Sequence, residues 1–121
     1  MTATFRFVEG DHKTIEVQLL TIDQDAPHVP QAIDLTNYDE VILYAKQIGP
    51  RPEDPSTFVP KTFTVDGLMI APLSEGYASF EFTPTHLDTY GEYMCRIKLL
   101  SAGTEIWSCK YDFYINVRPA F

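Results

Sequence analysis

The side chains best suited to chemistry in this sequence are two cysteines, three histidines and a few clustered carboxylates. Cys95 and Cys109 fit no metal-ligand spacing, but both fall on the inward face of one hairpin, and a pairing of Leu99 with Glu105 would set them opposite each other. A redox pair or two buried thiols would satisfy that arrangement. The sequence favours reduced, buried thiols, because cysteine is among the most often buried residue types and nothing points to an oxidising compartment. His12, His28 and His86 are scattered over turns and loops, at no spacing that a strand or helix would converge on a metal, and they read as surface histidines. Asp23-Gln24-Asp25 begins like a calcium loop but lacks the following glycine and the distal glutamate. There is no phosphate-cradling Gly-rich loop, no Gly-x-Ser-x-Gly elbow and no His-Glu-x-x-His. Asp88 and Tyr93 bring an acid and a phenol into one short stretch, Leu87-Asp88-Thr89-Tyr90-Gly91-Glu92-Tyr93-Met94-Cys95, yet a catalytic role would need a substrate site that the sequence does not assemble. No catalytic, cofactor-binding or metal-binding residue is therefore assigned, and the chain reads as a non-enzyme that uses no cofactor.

Charge narrows the partners. Nine Lys/Arg against seventeen Asp/Glu leave a formal charge of −8 over 121 residues, with no basic cluster to override the total. Such a chain repels a phosphate backbone and an anionic lipid surface, so nucleic acid and membrane are not expected partners, whereas protein or neutral ligands are. The N-terminus has no basic segment leading into an apolar run, and no stretch approaches the roughly 18 apolar residues of a membrane span, so neither a signal peptide nor a span is read. Eight Phe, seven Tyr and one Trp are too many for a disordered chain. The length suits a single domain over residues 1–121, burying roughly two thirds of the unfolded surface around one core.

The elements that must position these groups are strands. Phe5 and Phe7 alternate with Arg6; after Glu9-Gly10-Asp11, Ile15, Val17 and Leu19 alternate with Glu16 and Gln18. Ile33-Asp34-Leu35-Thr36 leads into a strand over Glu40–Lys46, and the Pro-rich stretch from Gly49 to Pro60 is a long exposed loop. Lys61–Val65 and Leu68–Ala71 are expected to be two short strands joined by a tight Asp66-Gly67 turn. Ala78, Phe80 and Phe82 form a strand that stops at Pro84, and residues 85–91 suit a single helical turn capped by Thr83 or Thr85. Tyr93, Cys95, Ile97 and Leu99 then face inward on a long hairpin, whose return strand turns Trp107, Cys109, Tyr111, Phe113, Ile115 and Val117 to one face. The pattern predicts an all-β protein, a sandwich or barrel of seven to eight strands, which the resemblance of its Asp88/Tyr93 corner narrows to an immunoglobulin-like antiparallel β-sandwich. Its core is expected to contain Phe7, Ile15, Val17, Leu19, Val41, Leu43, Phe80, Phe82, Tyr93, Ile97, Tyr111 and Phe113.

Within that frame Asp88 and Tyr93 acquire a structural meaning. An Asp, and then Tyr two places before an inward Cys, resemble the corner that opens strand F of immunoglobulin-like domains, where the tyrosine hydroxyl bonds to upstream backbone. No Cys lies near Val17, and Leu43 stands where an antibody domain carries Trp, so the resemblance is to the architecture and not to antibody domains. The strand over Glu40–Lys46 carries apolar groups on both faces: Val41, Leu43 and Ala45 inward, with Ile42, Tyr44 and Ile48 opposite. Two readings suit that outer face, cover by the Pro-rich loop or a contact surface for another subunit, which Leu20, Leu100 and Met94 could extend. Ile42, Tyr44 and Ile48 are the candidate interface, and Asp88 and Tyr93 the structural corner.

The order of several short motifs resembles a known family. Phe7-Val8-Glu9-Gly10-Asp11, Ile33-Asp34-Leu35-Thr36 before a strand, Gly76-Tyr77-Ala78-Ser79-Phe80 before Thr83-Pro84, and Gly91-Glu92-Tyr93 before Cys95-Arg96-Ile97 are similar to the N-terminal domain of phage upper baseplate proteins, over about residues 5 to 117. The resemblance implies a structural part of a phage or prophage virion, in the tail, baseplate or neck, assembled in the host cytoplasm. Its partners would be other virion structural proteins and, by the rotational symmetry of such particles, copies of itself. The alternative is a secreted or surface-associated β-sandwich that binds carbohydrate or protein.

Overall fold

Alternation of β-branched and aromatic residues with polar ones makes each strand apolar on one side, and such strands are stable only when that side is covered. The computed structural model describes residues 4–22, 30–50, 55–102, 104–108 and 113–120, and every extended element there is a strand or a single short turn of 3₁₀-helix. The strands are β1 (Thr4–Val8), β2 (Lys13–Gln18), β3 (Leu20–Ile22), β4 (Pro30–Ala32), β5 (Glu40–Gly49), β6 (Thr62–Met69), β7 (Tyr77–Phe82), β8 (Gly91–Ser101), β9 (Thr104–Ser108) and β10 (Phe113–Arg118). Their hydrogen-bonded order is β1-β10-β8-β5-β6-β7-β2, with β9 also on β8, and β3-β4 forms a separate ribbon. The fold is all-β, and the strands pair antiparallel as expected except β1, which runs parallel to β10. The strand count exceeds the expected seven to eight because β3 and β4 are short additions and the return strand of the long hairpin is divided into β9 and β10.

One strand links two layers. Residues Thr62 to Asp66 of β6 pair with β5, whereas Gly67 to Met69 pair with β7. The rings of Phe7 on β1 and Phe82 on β7, strands far apart in the sheet order, have centroids 5.4 Å apart, so the sheet folds over and its two parts face one core. The large part is β1-β10-β8-β5 with the first half of β6, and the small part is the second half of β6 with β7 and β2. The expected Asp66-Gly67 hairpin is thus not a turn: β6 runs straight through it. A type I′ turn needs positive φ at both central residues, and neither has it. Gly67 is needed for closeness instead, since a Cβ there would stand 2.6 Å from the Phe80 ring and 2.9 Å from Val41 Cγ1.

Ten of the twelve residues expected in the core are buried, Val17 packs half-buried against them, and Tyr111 lies outside the described residues. Leu35 and Leu87, which belong to no strand, are fully buried as well. Leu35 is delivered by Asp34, whose carboxylate accepts from the Thr36 backbone N–H (2.9 Å) and from the Thr36 hydroxyl, ordering a 3₁₀ turn over Leu35–Asn37. These bonds hold the Asp34 carboxyl below its ordinary value. Leu87 is delivered by a single hydrogen-bonded turn that does not continue into a helix, with the His86 and Leu87 N–H groups both donating to the Thr83 carbonyl. Thr83 supplies that carbonyl, its own N–H donates to His86 Nδ1 at 3.0 Å, and its hydroxyl lies 3.2 Å from the same ring nitrogen.

Candidate functional site

Two clusters lie on opposite sides of β8. The inner one is the corner between β7 and β8. Tyr93 is fully buried, and its hydroxyl donates to the Thr89 carbonyl at 2.7 Å, the backbone bond that distinguishes such a corner. Burial, then the charges of Asp88 and Glu9, push its phenol up to about 12, so it stays a neutral donor. Asp88 accepts from Lys61 and from the Thr89 hydroxyl, and these bonds hold its carboxyl below the usual range. Lys61 also donates to the carbonyls of Thr85 (2.8 Å) and His86 (3.0 Å). One ammonium therefore ties the segment before β6 to the whole turn before β8.

Gln47 closes the same corner from β5. It accepts from the Lys61 N–H (3.1 Å) and donates to the Tyr90 carbonyl (3.2 Å), which explains a buried amide in an otherwise apolar row. His86 is not a surface histidine: its ring stacks on Phe63 at 5.2 Å, and burial together with the Lys61 charge lowers its affinity for a proton. Asp88 Oδ1 and the Tyr93 hydroxyl are thus committed to the chain itself, and the arrangement is a clamp.

The outer cluster is the solvent side of the large sheet. Residues 41, 43, 45 and 47 of β5 are buried, which turns Ile42, Tyr44, Lys46 and Ile48 outward. On β8 the buried Tyr93, Cys95, Ile97 and Leu99 leave Met94, Arg96 and Lys98 facing out. The register places Ile42 opposite Lys98, Tyr44 opposite Arg96 and Lys46 opposite Met94. Thr62 and Thr64 of β6 complete an open depression of about 680 Å³ whose lining includes Tyr44, Lys46, Met94, Arg96 and Lys98. The Lys98 ammonium lies 4.8 Å from the centre of the Tyr44 ring, a cation–π geometry that leaves this tyrosine 38% exposed.

The three residues expected to form an interface share a face but not a patch. Ile42 and Tyr44 stand beside the depression and at its wall, whereas Ile48 lies past an irregularity in the β5–β8 register and lines a smaller hollow with Thr4, Glu92 and Tyr114. Leu20 belongs to the β3–β4 ribbon and does not extend the face; Met94 does.

Sequence reading missed the distribution of charge. Five of the nine Lys/Arg stand on the large-sheet face, Arg6, Lys46, Arg96, Lys98 and Arg118, with Glu40, Asp66 and Glu92 as the acids there among the described side chains. The other described side chains comprise two cations, Lys13 and Lys61, and eight acids. The signal was present in the alternation of Met94, Arg96 and Lys98, but only strand order joins it to Lys46, Arg6 and Arg118.

The expected pairing of Leu99 with Glu105 does not form: Leu99 pairs with Trp107 and Leu100 with Glu105, and the buried Cys95 pairs with Phe113. Cys109, His28 and Asp23-Gln24-Asp25 lie outside the described residues. His12 sits 3.6 Å from Glu81 on the surface. Among the described residues no group of three His, Cys, Asp or Glu is placed to hold a metal ion, and no helix is long and apolar enough to cross a membrane.

The sequence matches no protein-family model and no curated protein. Among solved structures it is similar to the natural killer cell receptor Nkp44, a triggering partner in natural cytotoxicity, at 16% identity over 97% of this chain and 98% of that one. The TM-score of 0.43 is too low for that likeness to carry an argument.

Proposed function

We propose that this chain is a non-enzymatic assembly module of a phage or prophage virion and that it docks on protein through the outer face of its large sheet. The observation that carries the docking surface is the half-exposed Tyr44 set beside Ile42 and Met94 among cations. In a protein of charge −8, a sheet face that collects an aromatic, aliphatic stems and most of the basic residues suits a protein contact, in which tyrosine and arginine are favoured anchors. The virion setting is supported by the resemblance of the motif order to phage upper baseplate N-terminal domains. The clamp at Tyr93 serves this role by holding β8, which contributes Met94, Arg96 and Lys98, against β5.

Particles purified from cells that encode the chain, examined by mass spectrometry and antibody labelling, test the setting; the chain is expected in stoichiometric amount. Replacing Ile42 by Lys and Tyr44 by Ser together should leave the circular dichroism spectrum unchanged and reduce incorporation into particles at least about tenfold, the loss of roughly 1.4 kcal/mol or more of contact energy. Incorporation at the wild-type level would reject this face as the docking surface.

A further inference from the structure

The proposed docking face has a counterpart on the opposite side of the molecule. The residues pointing outward from β2 and β7 are Thr14, Glu16, Gln18, Tyr77, Ser79 and Glu81, with no lysine or arginine among them. The register sets Ser79 between Glu16 on one side and Leu68 of β6 on the other. Leu68 is 73% exposed, the most exposed large apolar strand side chain among those described. The small sheet therefore presents an apolar knob beside carboxylates, and the large sheet an open depression with Tyr44 and Met94 among Lys46, Arg96 and Lys98.

We propose that the occupant of the large-sheet depression is a second copy of this chain, seated through its small-sheet face, with Leu68 entering beside Tyr44 and Met94 while Glu16 and Glu81 meet Arg96 and Lys98. This rests on the reading of the large-sheet face as an assembly surface. Charge complementarity selects the arrangement: large sheet on large sheet would oppose cations, small sheet on small sheet would oppose carboxylates, and like charges brought together disfavour both two-fold dimers. Unlike faces on opposite sides of one molecule give a head-to-tail contact, which propagates into a ring or a stack. Two copies of charge −8 repel at long range, but at about 0.15 M salt that repulsion is screened beyond about 8 Å, whereas pairs partly buried in the contact are screened less.

Two variants separate this arrangement from the others. Arg96→Glu with Lys98→Glu reverses the large-sheet face and keeps the small one; Glu16→Lys with Glu81→Lys does the converse. By sedimentation velocity at about 0.15 M salt, the wild type should associate beyond the dimer as concentration rises, and each variant alone should be at least about tenfold weaker. An equimolar mixture of the two should regain association beyond the dimer, because the intact acidic face of one meets the intact basic face of the other and the two reversed faces are complementary as well. Leu68→Ser, which changes no charge, should weaken wild-type association as well, and circular dichroism checks that every variant is folded. A wild type that stays monomeric up to roughly millimolar concentration overturns the proposal; if the Ile42/Tyr44 variant still loses incorporation, another protein occupies the face and the assembly reading survives. A closed dimer disrupted only by the large-sheet variant, or a mixture that regains no association beyond the dimer, overturns it equally.

Discussion

Tyr93 and Tyr44 lie on neighbouring strands, each with a lysine close by, and they face opposite ways. Tyr93 is inward, its hydroxyl held by the Thr89 carbonyl, while Lys61 nearby is bonded to Asp88 and two backbone carbonyls. Tyr44 is outward, its ring beneath the Lys98 ammonium and part of its surface open to a partner. A polar aromatic whose hydroxyl is satisfied by the chain stabilises the fold, because removing the bond would leave a partly buried carbonyl without its donor. One whose ring is left half-exposed adds little to the fold and offers anchoring area to another molecule. The single change of side along alternating strands separates these roles.

Truncating the inner corner tests this contrast most severely. Leu87 is fully buried beneath the turn that Lys61 holds, so Leu87→Ala should cost about 3 kcal/mol, read as a lowered urea midpoint at unchanged slope, whereas Tyr44→Ser should change stability by less than about 0.5 kcal/mol. Equal losses at the two sites would erase the distinction.

A finer comparison removes only the hydroxyls. Tyr93→Phe strips the donor from Thr89 and should cost about 1 to 2 kcal/mol, while Tyr44→Phe, which loses no hydrogen bond described within the chain, should be close to neutral in the same denaturation experiment.

The smallest effect is in pH. His86 binds its proton less readily in the folded chain than its ordinary value of 6.5, chiefly through burial. Below 6.5 the unfolded chain therefore takes up a proton that the folded chain resists, so stability rises with pH across the interval between the lowered value and 6.5 and is level for this group above it. The neutral ring also matches its bond, since Nδ1 must keep its lone pair to accept the Thr83 N–H. Asp88 acts lower: its folded value is depressed, so its contribution is present above 3.8 and is lost as pH falls through that depressed value. A His86 proton resonance titrating below 6.5, and loss of the stability slope in that interval in His86→Gln, check the sign. Substitutions at Tyr44 should leave the slope intact.

Much of this was legible in one dimension. The alternation in Glu40–Lys46 placed Val41, Leu43 and Ala45 inward and Ile42 and Tyr44 outward, and the spacing of Asp88, Tyr93 and Cys95 marked the corner. Other features were not. Asp66-Gly67 has the composition of a turn, yet the Phe80 and Val41 side chains beside Gly67 use its missing Cβ to let β6 pass between layers. Cys95 and Cys109 alternate in register on paper, but irregularities in the hairpin put Phe113 opposite Cys95.

By itself the sequence determined which side of each strand is apolar, because that pattern has a period of two residues and needs no knowledge of the neighbour. It also determined the total charge of −8. Only the tertiary structure decided which strands stand side by side, and so which side chains share a surface. Lys61 reaches Asp88, 27 positions away, because β6 leads away from the same corner where the turn before β8 closes. Arg6, Lys46, Arg96 and Lys98 are far apart in the chain, and they gather on one face because β1, β5 and β8 belong to one sheet.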